Sequence, residues 1–139
     1  MCPVKEVLER IGDGTLDLAP LTVSYDNLHP FWGGLVLTIH GTGQTEQRAV
    51  RHPEAQLKSI AREDLLKLVR HLVRVEAWVQ RVPERAPVPD ESKAQVSIRY
   101  GNDQTTIWEW HNDLNKNQRI IQIRDLMLEI SSILPDVSI

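Results

Sequence analysis

Between Leu65 and Val79, the residues Leu65, Leu68, Val69, Leu72, Val75 and Val79 fall on one face at helical spacing, flanked by Leu66, Val73 and Ala77. A helix with so wide an apolar stripe needs a second apolar layer to cover it. The segments on either side supply that layer, because there the period changes from 3.6 to 2. Leu35 to His40, a turn at Gly41-Thr42-Gly43, and Gln44 to Val50 read as one hairpin. Ala94 to Trp110 reads as a second. Each hairpin is followed by a helical stripe, which makes the chain α+β.

A three-residue loop in the first hairpin sets His40 opposite Gln44, Thr38 opposite Glu46 and Val36 opposite Arg48 on a wet face. Leu35, Leu37 and Ile39, faced by Thr45, Gln47 and Ala49, then turn to the core, as suits a sheet packed on one side. In the second hairpin a three-residue loop, Gly101-Asn102-Asp103, aligns Val96 with Trp108, Ala94 with Trp110 and Ile98 with Thr106. A two-residue loop at Asn102-Asp103 sends both tryptophans to the face of Ser97 and Arg99. A one-residue slip exchanges the faces completely, and the first register separates polarity better. It predicts that Trp108 and Trp110 are core residues.

The remaining elements follow from local signals. Val4, Val7, Leu8 and Ile11 predict a short helix over 3–11, stopped by Gly12-Asp13-Gly14, and Leu21 to Tyr25 alternates as a strand. Asp26 to Gly34, rich in turn residues, reads as a turn. Ser59 is the expected cap of the central helix, with Glu63 and Asp64 in its first turns. Pro83, Pro87 and Pro89 make the stretch after that helix an extended connector. Asn115 or Asn117 caps a last helix with a stripe of Ile120, Ile123, Met127, Ile130 and Leu134, ended by Pro135. The expected fold is a single domain over residues 1–139. It has an antiparallel sheet of about five strands, two hairpins plus one strand, with helices packed on one face, in the order α-β-β-β-α-β-β-α.

Composition enters as a filter on function. With 16 Lys and Arg against 19 Asp and Glu the net charge is -3, which lacks the basic footprint of a nucleic-acid or anionic-membrane binder. The longest apolar runs fall far short of the roughly 20 residues of a membrane helix. The start lacks the pattern of a signal peptide, and the single cysteine, Cys2, has no disulfide partner. A cytoplasmic location is expected.

Enzyme signatures are absent from the spacing. None of the five histidines stands in a zinc-binding frame. His71 is expected at the solvent edge of the central helix and His40 at a hairpin tip, while the first hairpin's register sets His52 opposite Trp32, near His29. The glycine turns lack the lysine of a phosphate loop, and there is no nucleophile elbow. His111-Asn112-Asp113 superficially resembles the His-Asn fragments of metal-dependent nucleases, but Asn and Asp suit a turn between strand and helix. No catalytic residue, metal ligand or cofactor is assigned.

What remains is Phe31-Trp32, set between Pro30 and Gly33-Gly34 in a turn. Large aromatics on a loop are a form of partner anchor, so Phe31 and Trp32 are the expected partner-binding residues. The order of elements over nearly the whole chain resembles that of the small, acidic, cytoplasmic secretion chaperones. That resemblance implies a dimer that wraps an unfolded segment of its cargo. The expected function is thus a noncatalytic protein- or peptide-binding module, chaperone-like and homodimeric, with a protein or peptide partner. The alternative is a metal-dependent hydrolase or nuclease using His111 and its polar neighbours.

Overall fold

In the computed structural model, which describes residues 3–29, 33–49, 52–80 and 93–131, the period-two segments form one antiparallel sheet. The period-3.6 segments cover one side of it. The elements are α1 (Pro3–Gly12), β1 (Leu21–His29), β2 (Gly33–His40), β3 (Gln44–Ala49), β4 (His52–Ser59), α2 (Arg62–Arg74), β5 (Lys93–Tyr100), β6 (Asp103–Trp110), a 3-10 turn η1 (His111–Lys116) and α3 (Gln118–Ser131). The expected α+β order is present. A further strand, β4, joins the sheet at its edge, giving the order β4-β3-β2-β1-β5-β6. No element was expected over 52–59; the segment carries Pro53, which an edge strand tolerates because one side of it needs no partner.

The core lies between the sheet and the helices. Leu21, Val23 and Tyr25 of β1, Leu37 and Ile39 of β2, and Ala94, Val96 and Ile98 of β5 are buried against Leu8 and Ile11 of α1, Leu68 and Leu72 of α2, and Ile120, Ile123 and Met127 of α3. The register of β2 with β3 is the expected one, Leu37 opposite Gln47 and Thr38 opposite Glu46. Gly41 in that turn has a second duty. Its N–H donates to the Leu21 carbonyl at 2.7 Å, and a Cβ there would run into the Leu18 carbonyl, so the chain passes too close for any side chain.

Several local expectations are corrected. β1 runs on to His29, and Asp26 to His29 belong to it rather than to a turn. Ser59 ends β4 and does not cap α2, whose N-cap is Ala61, without a side-chain bond. α2 stops at Arg74 instead of continuing to Val79. Glu76 takes φ 53, the Ala77 N–H donates to the Leu72 carbonyl and the Glu76 N–H to the Val73 carbonyl, closing the helix in a Schellman motif with Leu72 and Ala77 both buried. Asn117 does cap α3, its Oδ1 accepting from the Ile120 N–H at 3.2 Å. Leu134 and Pro135 lie outside the described residues.

The largest correction is the second hairpin. Tyr100 pairs with Asp103, leaving a two-residue turn, Gly101-Asn102, and Val96 faces Ile107, Gln95 faces Trp108 and Lys93 faces Trp110. Gly101 has φ +60 while Asn102 stays out of the left-handed region. That combination is the type II′ turn whose twist suits a hairpin. The turn therefore outranks the separation of polarity. Ile107, not Trp108, enters the core at 0% exposure, and both tryptophans stand on the face away from the helices.

Candidate functional site

No helix lies over the second face of the sheet among the described residues. Pairing across β2, β1, β5 and β6 sets Thr38, Ser24, Ser97 and Thr106 in one row. The Ser97 and Thr106 hydroxyls share a hydrogen bond at 3.0 Å. The next row is Val36, Asp26, Gln95 and Trp108. His40 Nε2 and Glu46 Oε2, 3.2 Å apart, close the side toward β3. This is a polar, partly exposed face with one aromatic corner.

That corner is built by the period of β6. Trp108 and Trp110 are two residues apart and so share a face; their rings meet edge to face with centroids 4.9 Å apart. Lys93, across on β5, holds its ammonium 4.3 Å from the Trp108 ring centroid and 5.4 Å from that of Trp110. Its charge sits in the negative field of the rings. Trp110 is buried at 9% exposure and Trp108 is half-buried. Together they form a shelf on the last strand of the sheet.

The same edge is touched from the other side of the chain by Gln80, just beyond α2. The Trp108 N–H donates to Gln80 Oε1 at 2.7 Å, and Gln80 Nε2 donates to the Trp108 carbonyl at 3.1 Å. The mount for Gln80 is Arg119, at the start of α3 and 9% exposed. Arg119 Nη1 donates to the Glu76 carbonyl at 2.9 Å and the Val75 carbonyl at 3.4 Å, and Nη2 donates to the Val79 carbonyl at 2.6 Å. These carbonyls lie just beyond α2, at the end of the helix where its dipole favours a cation. Nothing in the spacing singled out Gln80 or Arg119; the one signal is an arginine in the first turn of a helix, where the local dipole disfavours it.

On the helix side, Lys67, Arg70, His71 and Arg74 line one wall of an open cleft of about 680 Å³, and Gln122, Asp125, Leu126 and Glu129 line the other. The charges largely meet each other: Lys67 lies 3.5 Å from Glu129, and Arg124 2.9 Å from Asp125. His71 is buried at 8% exposure, not placed at a solvent edge. Arg74 Nη2 donates to its Nδ1 at 2.7 Å, which puts the ring proton on Nε2, a buried atom with no hydrogen-bond partner among the described residues. Burial, with Arg74 beside it, pushes its pKa down. His71 is a neutral core residue.

The other expected site residues are not brought together. Phe31, Trp32 and Cys2 lie outside the described residues. His52 opens β4 opposite Ala49, where a third strand running to Val50 was expected; Trp32, its expected neighbour, lies outside the described residues. His111 begins η1, so the His111-Asn112-Asp113 run does join strand to helix as a turn. Among the described residues no group of three His, Cys, Asp or Glu side chains converges as a metal site requires. No helix among them is long and apolar enough to cross a membrane. No protein family, curated protein or solved structure matches the chain.

Proposed function

We propose that the protein is a noncatalytic binding module that takes an extended protein or peptide segment on the face of its sheet turned away from the helices. The observation that carries this reading is the shelf of Trp108, Trp110 and Lys93 on that face at the outer edge of β6. Paired indoles present large rigid areas at small entropy cost, and a neighbouring strand edge offers backbone groups to an extended chain. Thr106, Ser97 and Gln95 beside the shelf supply hydrogen-bonding side chains. Phe31 and Trp32 enter the proposal as further anchors, on the segment that joins β1 to β2. The resemblance of the element order to the secretion chaperones extends the proposal to a homodimer that holds unfolded cargo.

The test is binding of a reduced, alkylated and therefore permanently unfolded protein, followed by fluorescence anisotropy of a dye on that probe. Trp108→Ala should keep the fold and weaken capture by at least about tenfold, as expected for an aromatic anchor. The Phe31→Ala, Trp32→Ala double variant should keep its fold and also lose association, in capture or in light scattering. Undiminished capture by all three altered positions would overturn the reading.

A further inference from the structure

We propose that Gln80 is an intramolecular plug in a strand-docking edge: its carboxamide holds the outer edge of β6 at Trp108, and an extended partner segment displaces it. The inference rests on the reading of the protein as a peptide-binding module and adds how its edge is kept closed.

In an antiparallel pair, residues alternate between those that exchange both backbone bonds with the partner strand and those whose N–H and C=O point away. Trp108 spends both groups on Gln80, so it points away from β5. By the same alternation Thr106 and Gln104 point outward too. β6 ends the sheet, and at its last residue the Trp110 N–H donates to the Glu109 carboxylate at 3.0 Å. A carboxamide carries one carbonyl and an N–H, the same pair as a peptide group. Gln80 therefore pairs with β6 as one peptide unit of a neighbouring strand would. Arg119 fixes the backbone at Val79, so the Gln80 carboxamide leaves the edge by side-chain rotation.

The occupant is a partner segment and not a second copy. Two β6 strands paired antiparallel about Thr106, the register that uses the whole strand, set Asp103 opposite Glu109 twice. Like charges directly opposite on one face disfavour that pairing. The same two carboxylates favour an incoming strand with basic residues on the helix side, and Trp108 favours an apolar residue on the open side. The fitting ligand alternates basic and apolar residues.

The experiment follows backbone amide shifts of the full chain, and of its Gln80→Ala and Gln80→Met variants, on titration with an alternating valine–lysine octapeptide and a valine–glutamate octapeptide. Methionine at position 80 can neither accept from the Trp108 N–H nor donate to its carbonyl, so it opens the edge without shortening the side chain or adding charge. Both variants should bind the lysine peptide about tenfold more tightly than the unaltered protein, the scale of two neutral hydrogen bonds that no longer compete. The shifts should centre on Thr106 and Trp108, and the glutamate peptide should bind more weakly. Equal affinity with and without Gln80 overturns the plug and leaves the peptide-binding reading standing. A variant that dimerises without peptide assigns the edge to a second copy and overturns the partner segment. Absence of binding by all three proteins overturns the plug, and the unfolded-protein capture then decides the parent reading separately.

Discussion

Replacing Arg119 with methionine isolates the contribution of the clamp at the end of α2. The side chain is 9% exposed, and its two short bonds reach the carbonyls of Glu76 at 2.9 Å and Val79 at 2.6 Å. Charged hydrogen bonds contribute about 1.5–3 kcal/mol each, so the pair is worth roughly 3–6 kcal/mol before offsets. Two effects reduce this. Methionine avoids the cost of burying a cation, and Glu76 and Val79 are exposed enough for water to reach their carbonyls. A net loss of about 2–4 kcal/mol is expected. In urea, with a slope of about 2 kcal/mol per molar, that is a midpoint lower by about 1–2 M with the slope unchanged. Arg119→Lys keeps the charge without the fork and should recover about half of the loss. An Arg119→Met protein that unfolds at the unaltered midpoint, or a lysine variant no better than methionine, would refute the clamp.

Burial and Arg74 hold His71 below the ordinary histidine value of about 6.5, so the unfolded chain takes up a proton that the native ring refuses. Stability should therefore fall as pH drops through about 6.5 toward the depressed native value, and His71→Gln should flatten that part of a plot of urea midpoint against pH; identical slopes would remove His71 as the cause. Ile107→Ala, in a fully buried site, should cost about 2–5 kcal/mol and lower the melting temperature more than Trp108→Ala, whereas the reverse ranking would restore the three-residue turn. At Gly101 a Cβ meets nothing, so Gly101→Ala should cost only the roughly 1–2 kcal/mol of its left-handed backbone, and Gly101→Asn less, by chemical denaturation. Gly41→Ala should cost more than Gly101→Ala in the same assay, because the Leu18 carbonyl must move.

Elements with one dominant local signal were legible in the sequence. The stripe of α2, the alternation of β2 and the cap at Asn117 each depend on neighbours a few residues away, and each appears where spacing places it. Boundaries set by a single backbone torsion were not. The stripe runs on through Val75 and Val79, yet Glu76 in the left-handed region ends α2, and no glycine marked the stop. The second hairpin shows two rules in conflict, and the glycine at the first turn position decided between them. Once it did, tryptophans that resembled core residues became the corner of an open face, beside a lysine from the next strand. The Gln80 and Arg119 contacts join residues far apart in the chain, and one sequence holds no signal for such pairs.

The strand order has a kinetic consequence. β1 to β4 form an uninterrupted meander, and β5 with β6 is a tight hairpin, so nearly all pairing in the sheet is between chain neighbours. The exception is the seam of β1 with β5, where Asp26 meets Gln95 and Val23 meets Ile98. Closing it encloses β2, β3, β4 and α2 in one loop, and that entropy is lost before the seam's own contacts compensate. The expected outcome is that the two halves form first and that their joining limits the folding rate. Val23→Ala and Ile98→Ala should then slow refolding, while truncations confined to the outer face of β3 should act on unfolding alone. The strand at the middle of the sheet is thus the last to gain its second neighbour.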